Sequence, residues 1–264
     1  MESIIAYFKV PRLSYRVWKV WKRDKDVFMK TLKVNFLPPL LEPILYLAAF
    51  GVGLGIFVGE IDGMPYIQFM APALVAISMM YSSFFECTYS SFVRMYYQKT
   101  FDAIIATPVS LDEVIAGEIL WGATRSLINS SIVLGVIAVA RLTPSPFFLL
   151  VPAFSFLAGL MFASIAMCFT AIVPSIDSFN YPAFLFITPM VLFCGTFFPI
   201  TILPATLQFV AQLFLPLTHV IIIARSLTIG VFHFSMLLSF IWIFAVTPVF
   251  FILSINLMKK RLIK

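Results

Sequence analysis

The sequence predicts an all-α integral membrane protein with six transmembrane helices, an N-terminal amphipathic interfacial helix and an extracytoplasmic re-entrant helix pair between spans 5 and 6. Three observations predict it. First, 61% of the 264 residues are hydrophobic and only 11% charged, with 30 Phe and a mean hydropathy of +1.02. An ordinary soluble domain is about a quarter charged. Second, the apolar residues collect into runs that reach the ~20 residues a helix needs to cross a bilayer. Third, most of the 18 Lys and Arg stand at the two ends of the chain, flanking those runs. That placement is a topology signal, and it excludes the nucleic-acid partner that a net charge of +6 would otherwise suggest.

Residues 1–35 read as a cytoplasmic N-terminal segment. Within it Val17, Trp21, Phe28 and Leu32 step by 4, 7 and 4 and so share one helical face, with Trp18 and many Lys and Arg around them. A helix lying in the cytoplasmic headgroups, tryptophans at the interface, accounts for both halves of the pattern. It serves as an anchor alone or also touches a cytoplasmic partner. No continuous apolar core followed by small residues occurs in this segment, so no cleavable leader is expected.

Residues 36–258 read as a single transmembrane domain with spans at about 36–58, 66–85, 114–140, 147–173, 182–198 and 234–257, and 259–264 as a basic cytoplasmic tail. No charged residue occurs between Ser178 and Ala224, a stretch too long for one crossing. Segments 203–215 and 217–229 are each too short to cross, and Pro199, Pro204 and Pro216 set them off by removing backbone donors. They read as the re-entrant pair. Lys and Arg beside spans stay on the cytoplasmic side. Nine precede the first span, from Lys9 to Lys33, and Lys259, Lys260, Arg261 and Lys264 follow the last, so both termini are inside and the number of spans is even. Glu60, Asp62 and Arg141 then fall outside, and Arg94, Lys99 and Asp177 inside.

Span 3 carries Glu118, Gly122, Arg125 and Asn129 at spacings of 4, 3 and 4, a polar and small stripe on an otherwise apolar helix. A charge at that depth is costly and must face protein or a wet cavity, with a partner. Glu86 at the inner end of span 2 and Glu42 in the first turns of span 1 are the candidate counter-ions. The stripe fits an interhelical ion pair that locks the bundle, and it fits a substrate contact. The inside loop 94–110 reads as a short helix ending before Pro108, which either receives force from a motor or is a structured connection. Ser110-Leu-Asp-Glu113 is a capping box that starts span 3.

Gly51, Gly55 and Gly59, like Ser155, Gly159 and Ala163, place small residues every fourth position for close helix packing. Cys87, Cys168 and Cys194 lie far apart in or beside apolar runs and read as buried thiols. His219 and His233 have no neighbouring ligand set, so no metal is expected. The twelve acids are too dispersed for an intramembrane enzyme. No G-x-x-x-x-G-K-[ST] loop occurs, so any ATP is hydrolysed on another polypeptide, and no cofactor is expected on this chain.

Gly117-Glu-Ile-Leu-Trp-Gly-Ala-Thr-Arg-Ser126 at the start of span 3, the run Ile187-Thr-Pro-Met-Val-Leu-Phe-Cys-Gly-Thr-Phe-Phe-Pro199, Leu203-Pro204, and Leu215-Pro-Leu-Thr-His219 with Arg225 carry a likeness that covers nearly the whole chain. On these residues the sequence resembles the six-span permeases of ABC-2 type ATP-driven exporters, most closely the nodulation J-type permeases of lipo-oligosaccharide export. The resemblance implies a homodimer in a bacterial inner membrane, served by two copies of a separate ATP-binding subunit that carries ATP and Mg. It implies contacts with those ATPases through the N-terminal helix and through the loop that holds Tyr97, Lys99, Phe101, Asp102, Ile105 and Thr107. The pair at 203–229 resembles the family's extracytoplasmic cap. A lipo-oligosaccharide, a lipid-linked glycan or an amphipathic compound is the implied cargo. The alternative is a stand-alone secondary carrier or channel that uses the Arg125 stripe, although no internal repeat supports it.

Overall fold

The computed structural model describes residues 9–263, without the side chains of Lys33 and Val34. Residues 1–8 of the expected N-terminal segment and Lys264 of the expected tail lie outside the described residues. Helix α1 is Val17–Lys30. Helix α2 is Leu32–Tyr46, continued by a wider π-helical stretch Leu47–Leu54 and a last turn Gly55–Val58. Strands β1 (Glu60–Ile61) and β2 (Met64–Pro65) pair antiparallel, Glu60 opposite Pro65 and Ile61 opposite Met64. The two turn residues between them, Asp62 and Gly63, both have positive φ, at 51° and 74°. That is the backbone a two-residue hairpin loop demands, and an Asp-Gly pair adopts it readily.

Helix α3 starts at Tyr66–Phe85 and runs on through Glu86–Ser90 and Val93–Tyr97. Then follow α4 (Thr100–Ile105), α5 (Leu111–Val139) and α6 (Val151–Ile172), the last entered through a tight turn at Pro146–Leu150. Helix α7 is Thr188–Phe193, led in by Asn180–Pro182 and a π-helical Ala183–Ile187. Helices α8 (Ala205–Phe214) and α9 (Pro216–Ile229) precede α10 (Phe234–Leu262).

Five of these helices are long and apolar enough to cross a membrane: Asn35–Val58, Tyr66–Tyr97, Leu111–Val139, Pro146–Ile172 and Phe234–Leu262. The fold is that of an all-α integral membrane protein. Two helices depart from the expected bounds. The second span was expected to stop at 85, before Glu86, yet α3 continues to Tyr97. Glu86 does not end it because Arg94, two turns on, meets its carboxylate at 2.8 Å. The α-helical part Tyr66–Phe85 alone is about 30 Å long at 1.5 Å per residue, so the wider π-helical continuation to Tyr97 carries α3 beyond the ~30 Å hydrocarbon layer. The segment expected to span at 182–198 is instead a short interrupted helix ending at Phe193. Between Ala205–Phe214 and Pro216–Ile229 the chain bends by 89°, where Pro216 starts a new helix.

One end of the bundle gathers the two ends of the described chain. Asn256 Nδ2 of α10 donates to the Lys9 carbonyl at 2.9 Å, and Lys259 Nζ reaches Asp112 Oδ2 at 2.7 Å. The Arg12 amide donates to the same oxygen at 3.1 Å. The start of α5 is held by the capping box: the Glu113 amide donates to Ser110 Oγ and the Ser110 amide to Glu113 Oε2. The hairpin lies at the other end. There Arg225 of α9 donates to the carbonyls of Phe69 (3.3 Å) and Gly195 (2.9 Å), with its guanidinium 3.9 Å from the centre of the Phe69 ring. Since Phe179 packs on Tyr89 and Phe92 near the terminal end, the chain passes from one end to the other between Phe179 and Gly195.

The core lies where α3, α5 and α6 meet. Small residues set the spacing. A Cβ on Gly122 would stand 2.5 Å from Cys87 Sγ and 3.0 Å from Ala163 Cβ, and one on Gly159 would stand 2.4 Å from Ser126 Cβ. Ser126 Oγ crosses this junction to the Ser155 carbonyl at 3.0 Å. Around it Phe84, Met79, Met80 and Phe162 are wholly buried. By contrast α2 and α10 leave large apolar side chains uncovered, among them Leu45, Ile56, Phe57, Leu237, Ile241 and Phe244. Such faces suit contact with lipid or another apolar surface.

Candidate functional site

Helix α1 is seated on α5 by a face with steps of 3, 4 and 4: Val17, Val20, Asp24 and Phe28 are its buried residues. This differs from the face through Trp21 and Leu32 expected from the apolar residues alone. Leu32 is 38% exposed, while Asp24, an acid, is 3% exposed. Gly117 lets α1 approach, since a Cβ there would lie 2.6 Å from Val20 Cβ. Trp21 Nε1 donates to Thr124 Oγ1 at 2.9 Å, and the Phe28 and Trp121 rings meet at 5.5 Å. Helix α1 is therefore packed along the first half of α5.

Between α1, α3 and α5 lies a buried charge cluster. Glu118 is 0% exposed. Arg94 donates to its Oε2 from Nη2 at 2.5 Å and from Nε at 3.0 Å, and Ser91 Oγ donates to the same oxygen at 2.6 Å. Arg94 also reaches Glu86 Oε1 at 2.8 Å, an oxygen that Trp121 Nε1 meets at 3.2 Å. Asp24 lies 2.9 Å from Arg23 and 4.0 Å from Arg94. Charge-assisted bonds of this kind satisfy buried carboxylates that would otherwise be prohibitively costly.

Asp24 remains the strained member. Burial, with Glu118 and Glu86 adding to it, pushes its carboxyl from an ordinary 3.8 up to about 8, against Arg94 and Arg23. Arg23 is the closer base but is 31% exposed, so water screens it. An unfolded chain releases this proton near pH 4, whereas the folded chain keeps it until about pH 8. Over that window the folded state binds more protons, so stability falls as pH rises. Asp24→Asn has no proton to lose. Its melting temperature should fall less between pH 6 and 8.5 than that of the unaltered protein; equal slopes would remove Asp24 as the source.

Arg125 sits at the upper edge of the cluster. Its guanidinium lies 4.5 Å from the centre of the Phe28 ring, and its Nε is 3.6 Å from Glu86 Oε2, too long for a hydrogen bond. Arg125 Nε and Nη1, and Asn129 Oδ1 one turn further on, are buried without a hydrogen-bond partner in the chain. Two cavities adjoin here, of about 420 and 530 Å³. Asn35, Glu86, Tyr89, Ser90 and Arg125 line both, so they form one cleft between the start of α2 and the α3–α5 pair.

The structure thus divides the stripe on α5. Glu118 is engaged by Arg94, and Arg125 faces Glu86, while Gly122 is a packing position. Of the two candidate counter-ions, Glu86 approaches Arg125. Glu42 lines the larger cavity and makes no ion pair among the described residues. Sequence reasoning missed Asp24, Arg23, Ser91 and Arg94 as members of one cluster. The available signal was Asp24 itself, which falls at helical spacing with Val17, Val20 and Phe28.

The loop residues are arranged around one anchor. Phe101 is the only buried residue of α4. Tyr97 is 60% and Ile105 40% exposed, and Lys99, Asp102 and Thr107 are exposed too. Lys99 has φ 54°, and this left-handed turn separates α3 from α4. A groove of about 450 Å³ runs between α1 and α4, lined by Lys19, Val20, Arg23, Ile104 and Thr107 among others.

A multi-pass helical bundle with a docked N-terminal helix, an exposed short helix and a charged cleft at one end has the build of a transport permease. The comparisons with known proteins give the family. The model of the ABC-2 type transporter family matches residues 15–229, and the chain belongs to that family. It is 38% identical over 248 residues to Nodulation protein J of Rhizobium meliloti (strain 1021), covering 92% of each chain. With Nodulation protein J of Bradyrhizobium diazoefficiens it shares 34% over 259 residues, 97% of each. A more distant relative is the Inner membrane transport permease YadH of Escherichia coli (strain K12), 25% identical over 207 residues, 74% of this chain and 75% of that one. No solved structure matches the chain.

Proposed function

We propose that this chain is the membrane-spanning subunit of an ATP-driven exporter, moving a lipo-oligosaccharide, a lipid-linked glycan or a related amphipathic compound out across a bacterial inner membrane. It works as a homodimer with two copies of a separate ATP-binding subunit, which holds ATP and Mg, and with both termini cytoplasmic. The observation that carries this reading is the terminal end of the bundle, where α1 is fixed to α5 and the exposed α4 stands beside it on a single buried anchor, Phe101. A motor pushing on either helix moves α5 and α3 directly, because both are joined through the Glu118–Arg94 pair. The relative named Inner membrane transport permease, together with the ABC-2 family match, supports transport and the inner-membrane location.

Affinity purification of the tagged chain from native membranes tests this. The expected result is a stoichiometric ATP-binding partner and vanadate-sensitive ATP hydrolysis. Recovery of a stable oligomer of this chain alone, with transport that follows an ion gradient, would favour a secondary carrier. Within the complex, Phe101→Ala and Asp102→Ala should each leave ATP hydrolysis running while export falls several-fold. Export at the unaltered level by both variants would reduce α4 to a plain connection.

A further inference from the structure

We infer that the cleft between α2 and the α3–α5 pair is a binding site for a phosphate-type oxyanion borne by a lipid, with Arg125 as its receptor and Asn129 beside it. The inference deepens the export reading by naming the chemistry that recognises the cargo's charged end.

The arginines around the cleft are not equivalent. Arg94 is spent on Glu118, Glu86 and Ser91, and Arg23 on Asp24. Arg125 makes no hydrogen bond to a described residue, and its Nε and Nη1 are buried. Its one acidic neighbour, Glu86, has Oε1 committed to Arg94 and Trp121, and offers Oε2 only at 3.6 Å. The Phe28 ring covers a face of the guanidinium, which leaves the in-plane N–H edge, the edge that grips phosphate oxygens in pairs. A cation only 13% exposed, with uncommitted donors, is unfavourable unless something supplies acceptors.

Size and access agree with a lipid-borne group. The adjoining cavities, about 420 and 530 Å³, fall in the range that holds small ligands. The wall formed by α2 begins with Pro38 and Pro39, and α2 leaves Leu37 and Leu41 exposed on its outer side. A headgroup can therefore enter while its chains stay against an apolar helix.

The test uses the purified full chain in neutral detergent, with thermal stabilisation as the readout and no ATP or partner subunit present. Failure to find an ATPase would thus leave this result independent. The probes are dihexanoyl phosphatidic acid, inorganic phosphate and dihexanoyl glycerol. Phosphatidic acid should stabilise the unaltered protein, with apparent affinity several-fold weaker in Arg125→Lys, which keeps the charge but not the paired donors, and at least tenfold weaker in Arg125→Gln and in Asn129→Asp. Asn129→Asp keeps Arg125 and so serves if Arg125→Gln folds poorly. Equal affinity across these variants would overturn the proposal, and so would equal stabilisation by dihexanoyl glycerol, which has chains but no phosphate. Inorganic phosphate saturating the site as tightly as phosphatidic acid would overturn the lipid source, leaving a free-anion site.

Discussion

Arg94→Met should lower the melting temperature of the solubilised protein by an amount on the order of 10 °C. The reason is arithmetic at one side chain. Glu118 has no exposed surface, and its carboxylate is held by Arg94 at 2.5 and 3.0 Å, with Ser91 as the only other donor among the described residues. Glu86 loses its 2.8 Å partner in the same substitution. Removing one partner of a buried pair strands the other charge and costs about 3–5 kcal/mol, more than the pair's net worth. The double variant Arg94→Met/Glu118→Gln should consequently recover much of the loss, because the stranded charge is gone. A single variant that melts with the unaltered protein, or a double variant worse than the single, would show that the pair is not what holds α3 to α5.

Gly159→Val should prevent the bundle from closing. The Cβ of any side chain there would stand 2.4 Å from Ser126 Cβ and 3.0 Å from Ala123 Cα. Ala123 Cα is backbone of α5 and cannot rotate away, so the two helices must part along their tightest contact. Overpacking a core where side chains can adjust costs about 1–3 kcal/mol; here the neighbour cannot adjust, and the loss should exceed that range. Gly53→Val is the matched control, since the nearest atom to a Cβ at Gly53 lies 4.0 Å away. Size-exclusion profile and protease resistance should separate the two variants. Similar behaviour of both would sink the packing argument.

Much of the fold was legible because it is written in composition. Long apolar runs, the Ser110–Glu113 capping box and the prolines that set off α8 and α9 each act through local chemistry, and each helix start follows from them. What the sequence hid was where helices end when a charge does not end them. Glu86 looks like a boundary until Arg94 is known to lie on the same face two turns away. Asp24 was hidden for the same reason: a reading that seeks an apolar face passes over an acid whose partner Arg94 and like-charged neighbour Glu118 stand some 70 and 94 positions downstream. Arg125 was legible as an anomaly, but its nearest acid was a choice between Glu42 and Glu86 that only tertiary packing made.

The short helix α7 has a consequence for the surrounding lipid. Fourteen α-helical residues would rise about 21 Å, and residues 180–193, with π-helical Ala183–Ile187 among them, rise less, well short of a ~30 Å hydrocarbon layer. The shortfall falls at the hairpin end, where α9 lies deeply buried though only 14 residues long and Arg225 pins it to Gly195. Tyr181, Phe184 and Leu185 stand exposed on this short passage, and lipid packed against them would thin or tilt to match its length. Bilayers of shorter acyl chains should therefore accommodate α7 with the least deformation of the neighbouring lipid.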